Sequence, residues 1–130
     1  MVEAVGNGTV NLNDTVYQGR FNRSKRDSGA LLVGAGTSDI RAPMCLSNYG
    51  MRLDLQGWGD SIVTSGYGDL AAADPTEFYT EKFGGTSGAA AIVAGAVASL
   101  QGVAKKGVTC WTRRWCSMLS RIPAHLRGIH

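Results

Sequence analysis

The stretch that most constrains this chain runs Phe83-Gly84-Gly85-Thr86-Ser87-Gly88-Ala89-Ala90-Ala91-Ile92-Val93-Ala94-Gly95-Ala96-Val97-Ala98. A glycine turn leads into two hydroxyl residues. Small and apolar residues follow, in a run that fits only a tightly packed helix. Ala89, Ala90, Ala91, Ala94, Gly95 and Ala98 add almost no bulk, so the helix can sit in a crowded interior. Ser87 stands at its start. The first N–H groups of a helix lack partners within it, and the dipole there favours negative charge. An oxyanion forming beside Ser87 would meet both. The plain alternative is that Ser87 is an N-cap, a common use of serine. This stretch alone does not separate the two readings.

A second feature does. Asn7 lies between Gly6 and Gly8, at the end of a short apolar strand from Val2 to Val5. An asparagine so placed usually turns the chain in a left-handed conformation. Its amide is also a good donor to an oxyanion. A strand-end asparagine and a helix-start serine can meet at the carboxyl edge of a parallel sheet, where α/β folds place their sites.

The rest of the chain reads as an α/β fold of parallel strands around one buried central helix. Residues 11–29 are polar and irregular, as in a surface loop. Ala30-Leu31-Leu32-Val33-Gly34-Ala35 is a continuous apolar run bounded by glycine, the pattern of a strand buried on both faces. Its Gly34-x-Gly36 lacks the third glycine and the following helix of a dinucleotide fingerprint. Residues 37–50 form another loop. Leu53 to Gly57 and Asp60 to Ser65 read as short strands, and residues 66–82 as a polar surface hairpin. The helix is predicted from about Ser87 to Lys105, with Lys105 and Lys106 suiting its negative end and Gly107 stopping it.

Composition narrows the function. A chain of 130 residues is one domain or part of one. Eighteen glycines point to many tight turns. The net charge of +3 is too small to imply nucleic acid. The basic residues from Arg20 to Arg26 and from Lys105 to Arg127 read as solvated faces. No charged residue occurs from Gly84 to Ala104, long enough for a membrane span. Glycine, alanine, serine and threonine dominate that stretch, however, so a buried core helix is favoured over a membrane partner. The first residues lack the basic and apolar regions of a signal peptide. The three cysteines make no disulfide framework: Cys45 reads as a buried small hydrophobe, while Cys110 and Cys116 could pair or have no role. Zinc-type ligand spacing is absent, and no cofactor or metal is assigned.

Four stretches together resemble one family. Gly85-Thr86-Ser87-Gly88-Ala89-Ala90-Ala91-Ile92-Val93-Ala94-Gly95 resembles the nucleophile motif G-T-S-x-A-x-P-x-V-A-G of the subtilisin-like serine proteases, or subtilases. Ala4-Val5-Gly6-Asn7-Gly8 resembles their oxyanion-hole motif. Leu32-Val33-Gly34-Ala35 and Leu46-Ser47-Asn48-Tyr49-Gly50 are similar to a further pair at similar spacing. The resemblance covers about residues 2–105. It implies a serine endopeptidase that cleaves polypeptides through an acyl-enzyme. Ser87 would be the nucleophile and Asn7 the side-chain donor to the oxyanion. Ala4, Val5, Gly6, Gly85 and Thr86 would wall the substrate pocket. Secretion and calcium binding occur in the family, but no calcium site is assignable here.

The departures bear on activity. The family order is Asp, His, Ser, and no D-[ST]-G-type or H-G-T-type motif occurs in this chain. The histidines, His125 and His130, follow the serine. A triad built from His125 with Asp54 or Asp60 would reverse the order. Residues 1–107 therefore resemble the C-terminal part of a subtilase catalytic domain, whose partner would be the missing N-terminal half. An inactive remnant or a peptide-binding module is the alternative. Such a part is expected to be unstable or misfolded alone, because strand edges and one side of the helix would lack partners. Gly59-Asp60-Ser61-Ile62 resembles an esterase block but lacks its downstream Asp-x-x-His. Residues 108–130 diverge. Codons for Cys110-Trp111-Thr112-Arg113-Arg114-Trp115, read two bases along, can encode Leu-Asp-Pro-Ala-Val-Val, as a local frameshift restored near Ser117 would produce.

Overall fold

The computed structural model describes residues 1–71 and 73–106. The strands are β1 (Val2–Ala4), β2 (Leu31–Gly36), β3 (Leu55–Trp58), β4 (Ile62–Ser65) and β5 (Tyr79–Phe83), and α1 (Gly85–Lys106) follows. β1, β2 and β3 form a parallel sheet with β2 in the middle, while β4 and β5 form a separate antiparallel pair. The chain is thus α/β, with a parallel sheet and one helix, as its sequence pattern predicts. The possible divergence and frameshift at 108–130 lie outside the described residues.

β2 organises the core because both of its faces are covered. All six of its residues are buried. Successive side chains of a strand point to opposite faces. On one face Val33 and Ala35 pack with Ala89 of α1, and Val2, Met44, Ala90 and Val93 surround them. On the other face Leu32 packs with Val5 and Leu12, and Leu53 adjoins that cluster. Apolar residues are needed on both sides, so the run shows no polar alternation. Val33 is fully buried. Covering a side chain of that size contributes about 1.5–3 kcal/mol.

The link from β1 to β2 is an exposed loop with one 3-10 turn at Thr15–Tyr17, rather than a crossover helix. A buried ion cluster ties it down. Asp54 accepts from the Leu32 N–H at 2.8 Å and from Arg52 Nη1 at 2.7 Å. Its other oxygen accepts from Arg23 Nη2. Arg52 Nη2 donates to the Ala30 carbonyl at 3.0 Å. The side chains of Arg52 and Asp54 are only 6% and 5% exposed. A pair so buried must satisfy its remaining hydrogen-bonding capacity locally, and this one does. Arg23, read from sequence as part of a solvated face, is half-committed to this cluster.

Three expectations need correction. The polar stretch 66–82 folds back on itself, with Ala71 bridged antiparallel to Tyr79, but it is the end of a longer hairpin. Its last part, from Tyr79 on, is the start of β5, which pairs back on β4. Cys45 is exposed rather than buried, because it sits on the outer side of the loop whose Ser47 and Met44 face inward. The helix is buried only at its start. Gly85, Thr86, Gly88 and Ala89 are covered, whereas Ile92, Leu100 and Val103 are 42%, 40% and 70% exposed. The cause is partial packing: the three-stranded sheet covers one face near the helix start, Ile62 of β4 and Phe83 of β5 lie against Gly88, and no other described element covers the rest. Gly85–Lys105 is long and apolar enough by length and composition to cross a membrane, and only its start is buried. Its docking on the sheet through Ala89 is the contact expected of a core helix at that end.

Close approach of helix to sheet depends on Gly57 in β3. A Cβ there would lie 2.6 Å from the Ala89 carbonyl oxygen and 3.0 Å from its Cα. Backbone atoms of a hydrogen-bonded helix cannot swing aside. Gly57→Ala should therefore destabilise the chain by about 1–3 kcal/mol, the usual cost of overpacking. Asp54→Ala should cost about 3–5 kcal/mol by leaving Arg52 buried without its partner. Urea denaturation of each variant beside the parent chain measures both.

Candidate active site

Two segments far apart in sequence meet at one corner of the sheet. β1 runs parallel to β2, and Val5 continues the pairing through its N–H to the Val33 carbonyl at 3.0 Å. The chain then turns at Gly6, whose φ of +97° no bulkier residue adopts easily. Asn7 was expected to take the left-handed conformation itself. It does not; Gly6 and Thr9, with φ of +97° and 55°, carry the turn instead. Asn7 is left with its amide aimed at the start of α1.

The helix begins at Gly85, two residues before the predicted start. Its first donors are met one by one. Gly85 N–H donates to the Gly59 carbonyl at 2.6 Å. Thr86 N–H donates to Asn7 Oδ1 at 3.0 Å, and the Thr86 hydroxyl donates to the same oxygen at 2.9 Å. The N-cap is therefore Asn7, reaching in from 79 residues away, and Ser87 is not the cap. The Ser87 N–H has no partner outside the helix among the described residues.

Accepting two hydrogen bonds fixes which end of the Asn7 amide is oxygen. Its Nδ2 hydrogens are consequently free among the described residues. A Cβ on Gly85 would stand 3.0 Å from Nδ2, so this donor lies over the first helical residue. Thr86 is buried, whereas Asn7 and Ser87 are exposed. The corner thus combines an exposed hydroxyl, a free backbone N–H at a helix N-terminus and a free side-chain amide held in place.

The other predicted residues divide. Gly85 and Thr86 belong to this corner. Val5 turns its side chain into the core with Leu12 and Leu32, so it can wall a pocket only with its backbone. Ala4 is exposed at the end of β1, and Gly6 is half-buried. The carbonyls of Val5 and Gly6 are both taken by Asn48, from its side-chain and backbone nitrogens, each at 2.9 Å. Asn48 belongs to the Leu46–Gly50 stretch that carries the resemblance, which assigns it no site role.

Both aspartates considered as triad members are already bonded within the fold. Asp54 is enclosed by arginines. Asp60 accepts from the Ser38 N–H at 2.7 Å, and Ser61 beside it has φ of 50°, so the Gly59-Asp60-Ser61 block is a turn between β3 and β4. His125 and His130 lie outside the described residues. The carboxyls drawn below their usual range are Asp39, by the Ile40 N–H and the Thr37 hydroxyl, Asp69, chiefly by the Thr80 hydroxyl, and Asp74, by the Thr76 hydroxyl and N–H. None belongs to the Asn7–Ser87 corner. Among the described residues, no three of His, Cys, Asp and Glu gather as metal ligands would.

Comparison with known proteins bears on the family and the fold. No curated protein matches the chain. Among solved structures, the chain is similar to one described as the self-cleaved protease domain of PatA, with a TM-score of 0.58 and 22% sequence identity. The likeness covers 88% of this chain and 38% of that one, and at this identity it bears on the fold alone. The chain spans well under half the length of that protease domain. The family described as the subtilase family matches residues 1–119. With that match over most of its length, this chain belongs to the subtilase family of serine proteases.

Proposed function

We propose that Ser87 and Asn7 are the nucleophile and the oxyanion donor of a serine endopeptidase site whose general base lies outside residues 1–106. The observation that carries this reading is the Asn7–Thr86 pairing. It consumes the acceptor end of the amide and the second helical N–H, and it leaves the donor end of Asn7 and the Ser87 N–H free. Those are the two donors that a tetrahedral oxyanion needs.

In the reaction so read, Ser87 Oγ bonds to the carbonyl carbon of a polypeptide. The carbonyl electron pair moves to oxygen, and the resulting oxyanion sits between Ser87 N–H and Asn7 Nδ2. Collapse expels the amine, which takes up the proton removed from Ser87. Water then hydrolyses the acyl-enzyme. Backbone from Ala4 to Gly6, with Gly85 and Thr86, forms the wall beside the scissile bond. Proton removal from Ser87 needs an imidazole, and no described residue is a histidine. The N-terminal half of a subtilase domain, carrying Asp and His, is the partner this reading requires. Secretion or a cell-envelope location follows from the family. The same missing imidazole favours the second reading, an inactive remnant or a peptide-binding module.

Two tests separate these readings. The 130-residue chain alone should not react with a fluorophosphonate probe; labelling at Ser87 would place an activating base within the chain and overturn the proposed division. Joined to an N-terminal half of a subtilase domain, the chain should hydrolyse casein, and Ser87→Ala should abolish that activity. No hydrolysis in the joined protein would favour the remnant.

Asn7 has two tasks, and substitutions can divide them. Asn7→Ala removes cap and donor, so the helix start should lose about 0.5–2 kcal/mol. Asn7→Asp keeps an acceptor for Thr86, and its charge suits the helix N-terminus. It should hold stability close to that of the parent while removing the oxyanion donor. In the joined protein both variants should lose kcat with little change in KM. The expected loss is about 10²–10³-fold, the value known for this kind of donor in subtilisin itself rather than one derived from this geometry. Equal kcat for Asn7→Asp and the parent would remove Asn7 from the mechanism.

A further inference from the structure

Asn7 is exposed, on a loop, and bonded only through its tip. Something must hold its backbone if the amide is to stay on the helix. Thr9 N–H donates to the Leu46 carbonyl at 3.2 Å, and the other bonds that do so come from one residue. Asn48 Oδ1 accepts from the Gly8 N–H at 2.9 Å and from the Val10 N–H at 3.1 Å. Asn48 Nδ2 donates to the Val5 carbonyl at 2.9 Å. The Asn48 N–H donates to the Gly6 carbonyl, also at 2.9 Å. Backbone groups on both sides of Asn7 are tied to Asn48, and Asn7 itself is left free to reach Thr86.

Asn48 is in turn fixed to the central strand. Its carbonyl accepts from the Ser47 hydroxyl at 3.0 Å, and the same hydroxyl oxygen accepts from the Ala35 N–H of β2 at 3.1 Å. The loop that carries Asn7 is thereby referenced to β2, the strand on which α1 also packs. The glycines flanking Asn7 make room for this amide. A Cβ on Gly6 would lie 2.8 Å from Asn48 Nδ2, and one on Gly8 would lie 3.0 Å from Asn48 Oδ1.

We infer that Asn48 is a positioning residue: its side-chain amide replaces the strand pairing that the chain gives up after Val5, and so sets Asn7 against the helix start. This rests on reading Asn7 as the oxyanion donor for its catalytic meaning, though the mechanical coupling stands on its own. Only an amide serves here. The site asks one group to donate to a carbonyl and accept from two N–H groups. A carboxylate of the same shape keeps the acceptor and faces the Val5 carbonyl with like polarity.

The test is amide hydrogen exchange by NMR on the full 130-residue chain, in sulfate buffer that favours the compact state. The readout is the Thr86 amide, 38 positions from residue 48 and hydrogen-bonded to Asn7 rather than to Asn48. Asn48→Asp should speed its exchange at least tenfold, toward the value in Asn7→Ala, and should shift the Asn7 Nδ2 signals. The amides of Val33 and Ala35, within the sheet, should keep their protection. A brace with only local structural effect would leave Thr86 unmoved, and unchanged Thr86 exchange overturns the inference. If Asn48→Asp loses sheet protection as well, Gly8→Ala decides. It crowds Asn48 Oδ1 without removing any group, and should raise Thr86 exchange severalfold with the sheet intact; no rise there also overturns the inference. Fluorophosphonate labelling and casein hydrolysis in the joined protein report separately on the catalytic reading. If those fail while Thr86 responds, the coupling holds and the catalytic role of Asn7 falls.

Discussion

Everything at the functional corner depends on how one helix start satisfies its backbone. The N–H groups that open a helix have no partners inside it, and leaving them bare within a fold is costly. Here the solution comes from the far end of the described chain. The side chain of Asn7 accepts from Thr86 N–H and from its hydroxyl, while Gly59 supplies a carbonyl to Gly85. This cap links the end of β1 to the beginning of α1. It works only because both are referenced to β2, β1 by parallel pairing and α1 by packing Ala89 against Val33 and Ala35. A stable scaffold is thus converted into the fixed orientation of one amide. Because that amide spends its oxygen on the helix, its nitrogen is available for something else.

Much of this was legible in the sequence where residue chemistry admits few solutions. The run Ala30 to Ala35 could only be a strand covered on both faces, and it is. The small residues after Ser87 could only be a helix that approaches other backbone closely, and Gly57 meets it at Ala89. That the strand-end asparagine would come to the helix start was also readable, since the topology of a parallel sheet brings such ends together, although its bonds fall on Thr86 rather than Ser87. What escaped was detail that depends on partners. Asn7 was read as the turn residue, but Gly6 can take the positive φ at lower cost and leaves the asparagine its extended reach. Ser87 was read as a possible cap, but a serine at the third helical position cannot cap its own helix. Asn48 stood in a stretch that resembles the family, but its task could not be read there because its partners lie about 40 residues away. Cys45 was judged by its apolar neighbours, and no local rule says which side of a loop faces the core.

The burial of α1 shows the limit of arguing from composition. Residues as small as Ala91, Ala94, Gly95 and Ala98 suit a helix crowded on every side. In the described residues only the start of the helix is crowded. Ile92, Leu100 and Val103 face solvent, and β1 and β3 each pair with a single strand among the described residues. Sequence had specified how closely the helix can be approached, which is a property of its own side chains. It could not specify how many neighbours would be there to approach it. Apolar surface left bare in this way weakens a fold and invites association. Its effect should fall on the outer helix rather than on the corner, because Thr86 and Ala89 lie in the part that the sheet covers.

The same division runs through the chemistry. Stabilising an oxyanion needs donors fixed before the charge appears, and fixed donors need a rigid frame. The frame here is complete within residues 1–106: β2, the Asn48 brace, the Asn7 cap and the first turn of α1. Activating a hydroxyl is a different task, because it needs a titratable base at hydrogen-bond distance and a group to orient that base. Asp54 is committed through both oxygens to holding the β1–β2 loop, and Asp60 holds the Ser38 N–H of the loop after β2, so both carboxylates do structural work. Charge stabilisation and proton removal can therefore reside in separate stretches of polypeptide. On the reading proposed for Ser87 and Asn7, the first is a matter of backbone geometry at the start of α1, and the second of a base placed beside a hydroxyl that is otherwise an ordinary alcohol.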